Sequence, residues 1–408
     1  MKKIIRNELL SPAGDFEKAT IALDYGADAV FLGAKAYSLR SQASNFFMND
    51  IKKTCKYAHK KNKKVYAAVN VICHNGLLKG FPKFIKQLYD TGIDALIVAD
   101  PYIIDYVSVN YPNWELHLST QQSITNSAAA KFWKENNISR IVLAREVSIK
   151  NLKKLIQNLK NKLEIEYFIH GAVCISYSGR CMMSNNWSLR DANVGGCAQS
   201  CRWKFDLMDL KNKNKYSSEF TMSPKDMMLL DEIKTLIKLN VASFKIEGRM
   251  KSLNYVATVT KAYRELIDAC LQKHNNKKIL NKLKNSKKDL KFAENRPSGK
   301  ALSKGFTTIN DMLYHDQERA LKQQFAFVVE ETKQTWVQVN CRNYFKLNQF
   351  FTIFGPKEKY EKLKLIKILD KNKNETNVAN KPMEKYYLKF DNKSGLRISK
   401  NFIGRIEK

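Results

Sequence analysis

Gly26-Ala-Asp-Ala-Val-Phe-Leu32 returns farther along the chain as Gly92-Ile-Asp-Ala-Leu-Ile-Val98, with looser copies in Asn137-Ile-Ser-Arg-Ile-Val-Leu143 and Asn240-Val-Ala-Ser-Phe-Lys-Ile246. Each copy runs from a turn residue through a short polar one into a β-branched or aromatic stretch. Each also follows a segment of helical period: Phe16 to Tyr25, Phe81 to Leu88, Ala128 to Trp133 and Met227 to Leu239. A helix that stops on a Gly or Asn cap and feeds a buried strand has this form. Glu8-Leu-Leu10, Val65 to Val69, Leu116-His-Leu118 and Ile165 to Ile169 are further apolar runs of strand length, which makes eight strand candidates. Eight strands alternating with helices predict a closed (β/α)8 barrel of TIM type over residues 1–270. A doubly wound sheet is the alternative, because no Gly-x-Gly-x-x-Gly follows the first strand to decide the matter.

Beyond the barrel the composition shifts. Leu271 to Lys300 holds ten Lys/Arg against two acids, which predicts a basic helical linker over 271–320. Phe325-Ala-Phe-Val-Val329, Trp336-Val-Gln-Val339, Phe350 to Phe354, Leu365 to Leu369, Tyr386 to Phe390 and Gly395 to Ser399 then come at short intervals with polar turns between them. This spacing predicts a small β-barrel over 321–408.

The chain has 408 residues, 44% hydrophobic, and 71 Lys+Arg against 39 Asp+Glu leave a formal charge of +32. With Gly at 16 and Pro at 8, collagen-like and low-complexity classes are excluded. No apolar run approaches the roughly 18 residues of a membrane span, so no membrane partner is expected. The stretch Met1 to Glu8 breaks its apolar residues with charge, which is unlike a signal peptide and predicts a cytoplasmic protein. The charge favours polyanions, RNA or DNA, through counterion release; a Lys- and Asn-rich coding bias would give the same excess.

Four of the eight cysteines, Cys174, Cys181, Cys197 and Cys201, fall within 28 residues, in an insertion over about 171–205 that follows a predicted strand. Cysteines in such a cytosolic chain are free thiols or metal ligands rather than a disulfide framework. Four thiolates that converge repel one another unless a cation neutralises them. The long, irregular C-x6-C-x15-C-x3-C spacing suits an iron-sulfur cluster. Zinc is the alternative, since the last pair has its compact spacing, and unrelated buried thiols or one nucleophile are the third reading.

Glu166-Tyr-Phe-Ile-His-Gly171-Ala-Val-Cys174-Ile-Ser-Tyr-Ser-Gly179-Arg-Cys181-Met-Met-Ser184, continued by Gly196-Cys197-Ala-Gln-Ser-Cys201-Arg-Trp203, resembles the signature of the collagenase-like peptidases of unknown catalytic type. The opening Glu8-Leu-Leu-Ser-Pro-Ala-Gly14-Asp-Phe-Glu17, Ser223-Pro-Lys-Asp226 and Ser243 to Ser252 agree with it, so the resemblance spans nearly the whole chain. Within that family, the length, the four cysteines and the added C-terminal barrel are similar to the prephenate-dependent proteins that hydroxylate the tRNA wobble uridine to 5-hydroxyuridine. Relatives act on ribosomal RNA cytidine or, without oxygen, on the ubiquinone ring. The resemblance implies a 4Fe-4S cluster on Cys174, Cys181, Cys197 and Cys201, tRNA as substrate, and prephenate as hydroxyl source. An electron donor or accessory protein is a possible further partner.

Polar residues just past barrel strand ends face the active-site mouth. The candidates are Asn70 and His74, Asp100, His117 with Gln121, Arg145 with Glu146, His170, and Lys245, Glu247 and Arg249. A dicarboxylate such as prephenate calls for guanidinium forks and ammonium groups, which Arg145, Lys245 and Arg249 would supply. Lys245 and Glu247 lie on one face of the last strand, with an interior ion pair between them as the bland alternative. His117 and His170 are the catalytic histidine candidates, each with an ordinary core role as its alternative. The aromatic-basic runs Cys201-Arg-Trp-Lys-Phe205 and Lys385-Tyr-Tyr-Leu-Lys389 suggest base stacking or core packing. Two rivals stand beside RNA modification. A peptidase is disfavoured by the lack of His-Glu-x-x-His or Gly-x-Ser-x-Gly, and a non-catalytic RNA-binding accessory protein with a structural metal site is the other.

Overall fold

The computed structural model describes residues 7–40, 44–160, 162–178, 180–206, 208–209, 211, 219–272, 274–293, 296–314 and 323–407. The opening six residues, Gly179 and the last part of the 271–320 stretch lie outside them. All eight predicted runs form strands. They are β1 Glu8–Pro12, β2 Ala29–Gly33, β3 Lys64–Val69, β4 Ala95–Val98, β5 Glu115–Leu118, β6 Arg140–Val142, β7 Glu164–Gly171 and, after β8 Asp226–Met228, β9 Ser243–Ile246. β1 to β7 pair in parallel sequence order, and β9 pairs in parallel with both β7 and β1, which closes the ring. The fold is a (β/α)8 barrel and not a doubly wound sheet.

β8 is not a stave. It pairs antiparallel with β7, His170 opposite Met228, and carries the short parallel β10 Ser298–Gly299 on its other edge. This corrects the helix expected from Met227: the helix begins only at Ile233. The reason is competition for backbone groups, since the amide of Leu229 donates to the carbonyl of Ile169 at 2.9 Å and to Tyr263 Oη at 3.2 Å instead of entering a helical turn.

The stretch read as a linker is docked on the barrel. Helix Asn276–Leu290 packs on helix Leu253–Leu271, Ser286 Oγ donating to the carbonyl of Ala262 at 3.2 Å. Lys282 pairs with Glu265 and Lys287 with Asp231, both at 2.7 Å, so part of its basic face is spent on the protein itself.

The C-terminal domain comprises β11 Gln323–Lys333, β12 Trp336–Cys341, β13 Phe345–Lys346, β14 Phe350–Phe354, β15 Glu361–Leu369, β16 Val378–Ala379, β17 Lys385–Asp391 and β18 Ile403–Glu407. Six of these close an antiparallel barrel in the order β11-β12-β17-β15-β14-β18, while β13 and β16 pair apart from it. Gly395 to Ser399, expected as a strand, is a loop. Asn392 captures both backbone groups of Leu396 there, at 3.0 and 2.8 Å, and Gly395 turns at φ +69°. The sixth stave is β18.

Phe327, Phe345, Phe351 and Phe390 fill this barrel. A Cβ on Gly404 would sit 2.1 Å from the Phe327 ring, a clash that an interior at crystal density cannot absorb. Gly404→Ala should therefore destabilise the chain by about 1–3 kcal/mol. A thermal unfolding midpoint equal to wild type would show that the ring can move aside.

The two barrels share a polar and apolar seam. Lys261 Nζ donates to the carbonyls of Gly355, Pro356 and Glu358 at 3.0, 3.0 and 2.9 Å, and Tyr25 Oη to that of Asn401 at 2.9 Å. Tyr25, Leu253, Phe354 and Ile403 pack beside them. Among the described residues no helix is long and apolar enough to cross a membrane.

Candidate functional site at the barrel mouth

Strand alternation sorts the barrel interior into layers. At the floor, Arg140 Nη1 lies 2.6 Å from Glu8 and 3.4 Å from Glu166, and its Nη2 2.7 Å from Glu164. Tyr66 and Ser243 also donate to Glu8, at 2.7 and 2.9 Å. One layer up, Lys245 Nζ donates to Glu166 at 2.6 Å and stands 4.6 Å from the centre of the Phe31 ring. Burial alone would raise the Glu166 carboxyl, but Lys245 and Arg140 hold it below the usual range.

Above this plug a cavity of about 140 Å³ opens at the carboxyl ends of the strands. Phe31, Ala68, Ile97, Val142 and Phe168 form its base, and Asn70, Ser119 and Gln121 a polar side. Glu247 stands among three guanidiniums. Arg145 reaches it at 3.4 Å while lying 4.0 Å above the Phe168 ring, and Arg40 reaches it at 3.9 Å. Burial opposes ionisation of Glu247, but Arg40, Arg145 and Arg249 keep its carboxyl below the usual range. Arg249 is buried and donates to Ser38 at 2.9 Å and Asn45 at 2.5 Å, while its Nε has no partner among the described residues. Burial, with Arg40 alongside, pushes it down to about 10. Gly33 makes room, since a Cβ there would lie 2.3 Å from Arg249 Nη2. Arg40, Arg145 and Arg249 against Glu247 leave this cluster with two positive charges, and Arg180 brings a further guanidinium to the lining.

The cysteine loop covers one side of this cavity. Gly171 ends β7 at φ +104°, where a Cβ would strike the carbonyl of Glu247 at 2.4 Å, so a side chain is excluded at the point where the loop departs. The loop is then stitched to the rim. Glu146 accepts from the amide of Ser178 at 2.9 Å, Ser123 Oγ donates to the Ser178 carbonyl, and Ile72 donates to the Asn193 carbonyl at 3.2 Å. Cys174, Cys181, Cys197 and Cys201 all line the cavity, and no disulfide joins them. Burial pushes the Cys201 thiol up; Arg202 opposes this, and the three other thiols add to it. Among the described residues, no three Cys, His, Asp or Glu side chains stand close enough to share a single metal ion.

Of the residues expected at the site, Arg145, Lys245, Glu247, Arg249 and the four cysteines meet at the cavity, as do Asn70 and Gln121. Lys245 and Glu247 do not pair with each other, since each has its own partner. The two histidines do not join them at the cavity. His117 is fully buried one layer below the mouth, 3.3 Å from Glu115 and edge-on to Tyr66, and does not line the cavity. His170 turns to the outer side of the barrel wall, its Nδ1 3.3 Å from Tyr263 Oη, because a register shift against β9 between Phe168 and His170 reverses its face. His74 is exposed and 3.7 Å from Asp191, and Asp100 caps helix Pro101–Asn110. Arg40 was missed by sequence reasoning. Its one signal is a basic residue in the loop after β2, at the catalytic end of a stave.

The sequence model of peptidase family U32 matches residues 14–317, and that of the U32 C-terminal domain matches residues 322–397. A protein of Bacillus subtilis (strain 168) named tRNA hydroxylation protein P1 is 40% identical over 404 residues, covering 96% of this chain and 94% of its own. The 23S rRNA 5-hydroxycytidine C2501 synthase of Escherichia coli (strain K12) is 39% identical over 267 residues, 65% of this chain and 40% of its own. Among solved structures, the U32 peptidase Mk0906 is 12% identical, with a TM-score of 0.41 over 61% of this chain and 95% of that one.

Proposed function

This chain belongs to peptidase family U32, and from that premise we propose that it is a tRNA-modifying enzyme that hydroxylates the wobble uridine to 5-hydroxyuridine. The observation that carries the proposal is the convergence of four thiols with the guanidiniums of Arg40, Arg145 and Arg249 on one barrel-mouth cavity. The likeness to tRNA hydroxylation protein P1 over nearly its whole length supports the reading.

The net positive charge of Arg40, Arg145 and Arg249 suits an anionic hydroxyl donor of dicarboxylate type, prephenate being the candidate. Asn70 and Gln121 offer amides to the edge of a base, and Asn70 is oriented by Ser119 at 3.3 Å and the amide of Leu39 at 3.4 Å. For the cysteines we propose a 4Fe-4S cluster. Thiols spread round a cavity wall, with no three donors close enough for one ion, suit a multi-iron cluster better than tetrahedral zinc. Such a group would supply one-electron chemistry; the electron donor would be a separate protein. A cysteine peptidase finds little support elsewhere in the chain, since burial pushes Cys55 up to about 12 and Cys73 up to about 11, the reverse of an activated thiol.

The test is mass spectrometry of tRNA nucleosides from a strain lacking the gene, complemented by wild type or by Arg145→Ala. Wild type should restore 5-hydroxyuridine. The variant should lose about tenfold or more, the size of one truncated charged contact. Unmodified tRNA with the wild-type protein expressed and folded would overturn the assignment.

A further inference from the structure

Outward-facing aromatic rings on the C-terminal barrel have no role in its core. Alternation along β12 sends Val337 and Val339 inward and leaves Trp336 and Gln338 outside, while on β17 Tyr386 and Leu388 go in and Tyr387 stays out. The register places Gln338 directly opposite Tyr387. Continuing that register sets Lys389 across from Trp336, and Lys333 of β11 is its partner on the other side. The two half-buried rings line one cavity of about 300 Å³ together with Gln338, Lys333, Lys373 and the acid Glu331. Lys373 and Lys389 carry no ion pair among the described residues, whereas Lys333 and Lys385 are held by Glu331 and Glu330 at 3.2 and 3.1 Å.

We propose that this face is a stacking platform for an unpaired stretch of RNA. Trp336 and Tyr387 would take the flat faces of bases, and Lys373 and Lys389 the phosphates. Rings beside unpaired ammonium groups on a small barrel's outer sheet meet the two requirements of single-strand binding, a π surface and a cationic track. An apolar protein segment would use the rings but leave the lysines unmatched. The inference rests on the tRNA reading above and adds a second contact point to it, on the domain that the Lys261 and Tyr25 seam ties to the catalytic barrel.

The experiment compares binding of unmodified tRNA by full-length wild type, Trp336→Ala/Tyr387→Ala, Trp336→Phe/Tyr387→Phe and Tyr344→Ala, with unfolding midpoints measured in parallel. Tyr344 is an exposed ring on the same domain but not among the cavity's lining residues. Loss of stacking should weaken binding by about tenfold or more. The Phe pair should restore most of it, and Tyr344→Ala should match wild type. Hydroxylation at saturating tRNA should be unchanged, so the loss falls on KM. Equal binding by wild type and the alanine pair, or equal loss in Tyr344→Ala, would overturn the platform and leave the catalytic reading intact. No tRNA binding by wild type would remove the tRNA reading, and the platform with it.

Discussion

Purified without oxygen, the chain should carry iron and acid-labile sulfide at about four of each, and Cys197→Ser should lose both together with tRNA hydroxylation. Changes to the outer shell of a metal site already cost about 10–100-fold, so removing a ligand should cost at least that much. The same should hold for Cys174, Cys181 and Cys201, because all four line one cavity and the loop that carries them is fastened to the rim at Ser178 and Asn193. Cys270→Ser is the control, since this thiol sits in helix Leu253–Leu271 away from the loop, and its metal content should equal wild type. The pattern across the four separates the hypotheses. A cysteine nucleophile would make one position indispensable and leave three dispensable, whereas a cluster makes every position indispensable. Zinc at one per chain would keep the ligand set but remove redox chemistry from the site.

The staves were legible because a barrel strand is buried on both faces, so Ala95 to Val98 or Val65 to Val69 reads as an unbroken apolar run. The cysteine loop was legible from its spacing. What the sequence hides is depth. His117 lies on β5 and Ser119, just past its end, keeps the same parity, yet one lies in the sealed interior and the other lines the cavity. His170 has the parity of Phe168, and only the register shift against β9 turns it outward. Neither distinction leaves a mark in local composition. The charged floor was missed for another reason. Glu8, Arg140 and Glu166 belong to three separate strands, and Glu8 and Arg140 are 132 residues apart in the chain. Each alone reads as a polar strand end, and only closure of the ring makes them partners.

That closure predicts a large effect for Arg140→Met. The variant strands Glu8 and leaves Glu166 with Lys245 as its sole cationic partner in hydrogen-bonding reach among the described residues. Breaking a buried ion pair from one side costs about 3–5 kcal/mol, because the remaining charge keeps its desolvation penalty. Urea unfolding at pH 7 should show a loss of that size. The pH dependence has a definite sign. In wild type the Glu166 carboxyl is held below its usual range, so its contribution is present above about pH 4.3, the unfolded value, and is lost as pH falls through the lower folded value. Without Arg140 that carboxyl shifts upward, and protonation relieves the variant, so the gap from wild type should narrow as pH drops toward 4. A constant gap would mean that lost packing, not stranded charge, is responsible. Arg140→Met/Glu8→Gln tests the same point at neutral pH. Glutamine keeps an acceptor oxygen for one of the Tyr66 and Ser243 hydroxyls and offers an N–H to the other, which can accept it, while removing the stranded charge, so the double variant should be more stable than Arg140→Met alone. If it is not, the floor is held by shape. If it is, the uncompensated charge on Glu8 accounts for the loss, and the floor residues are held together by mutual neutralisation.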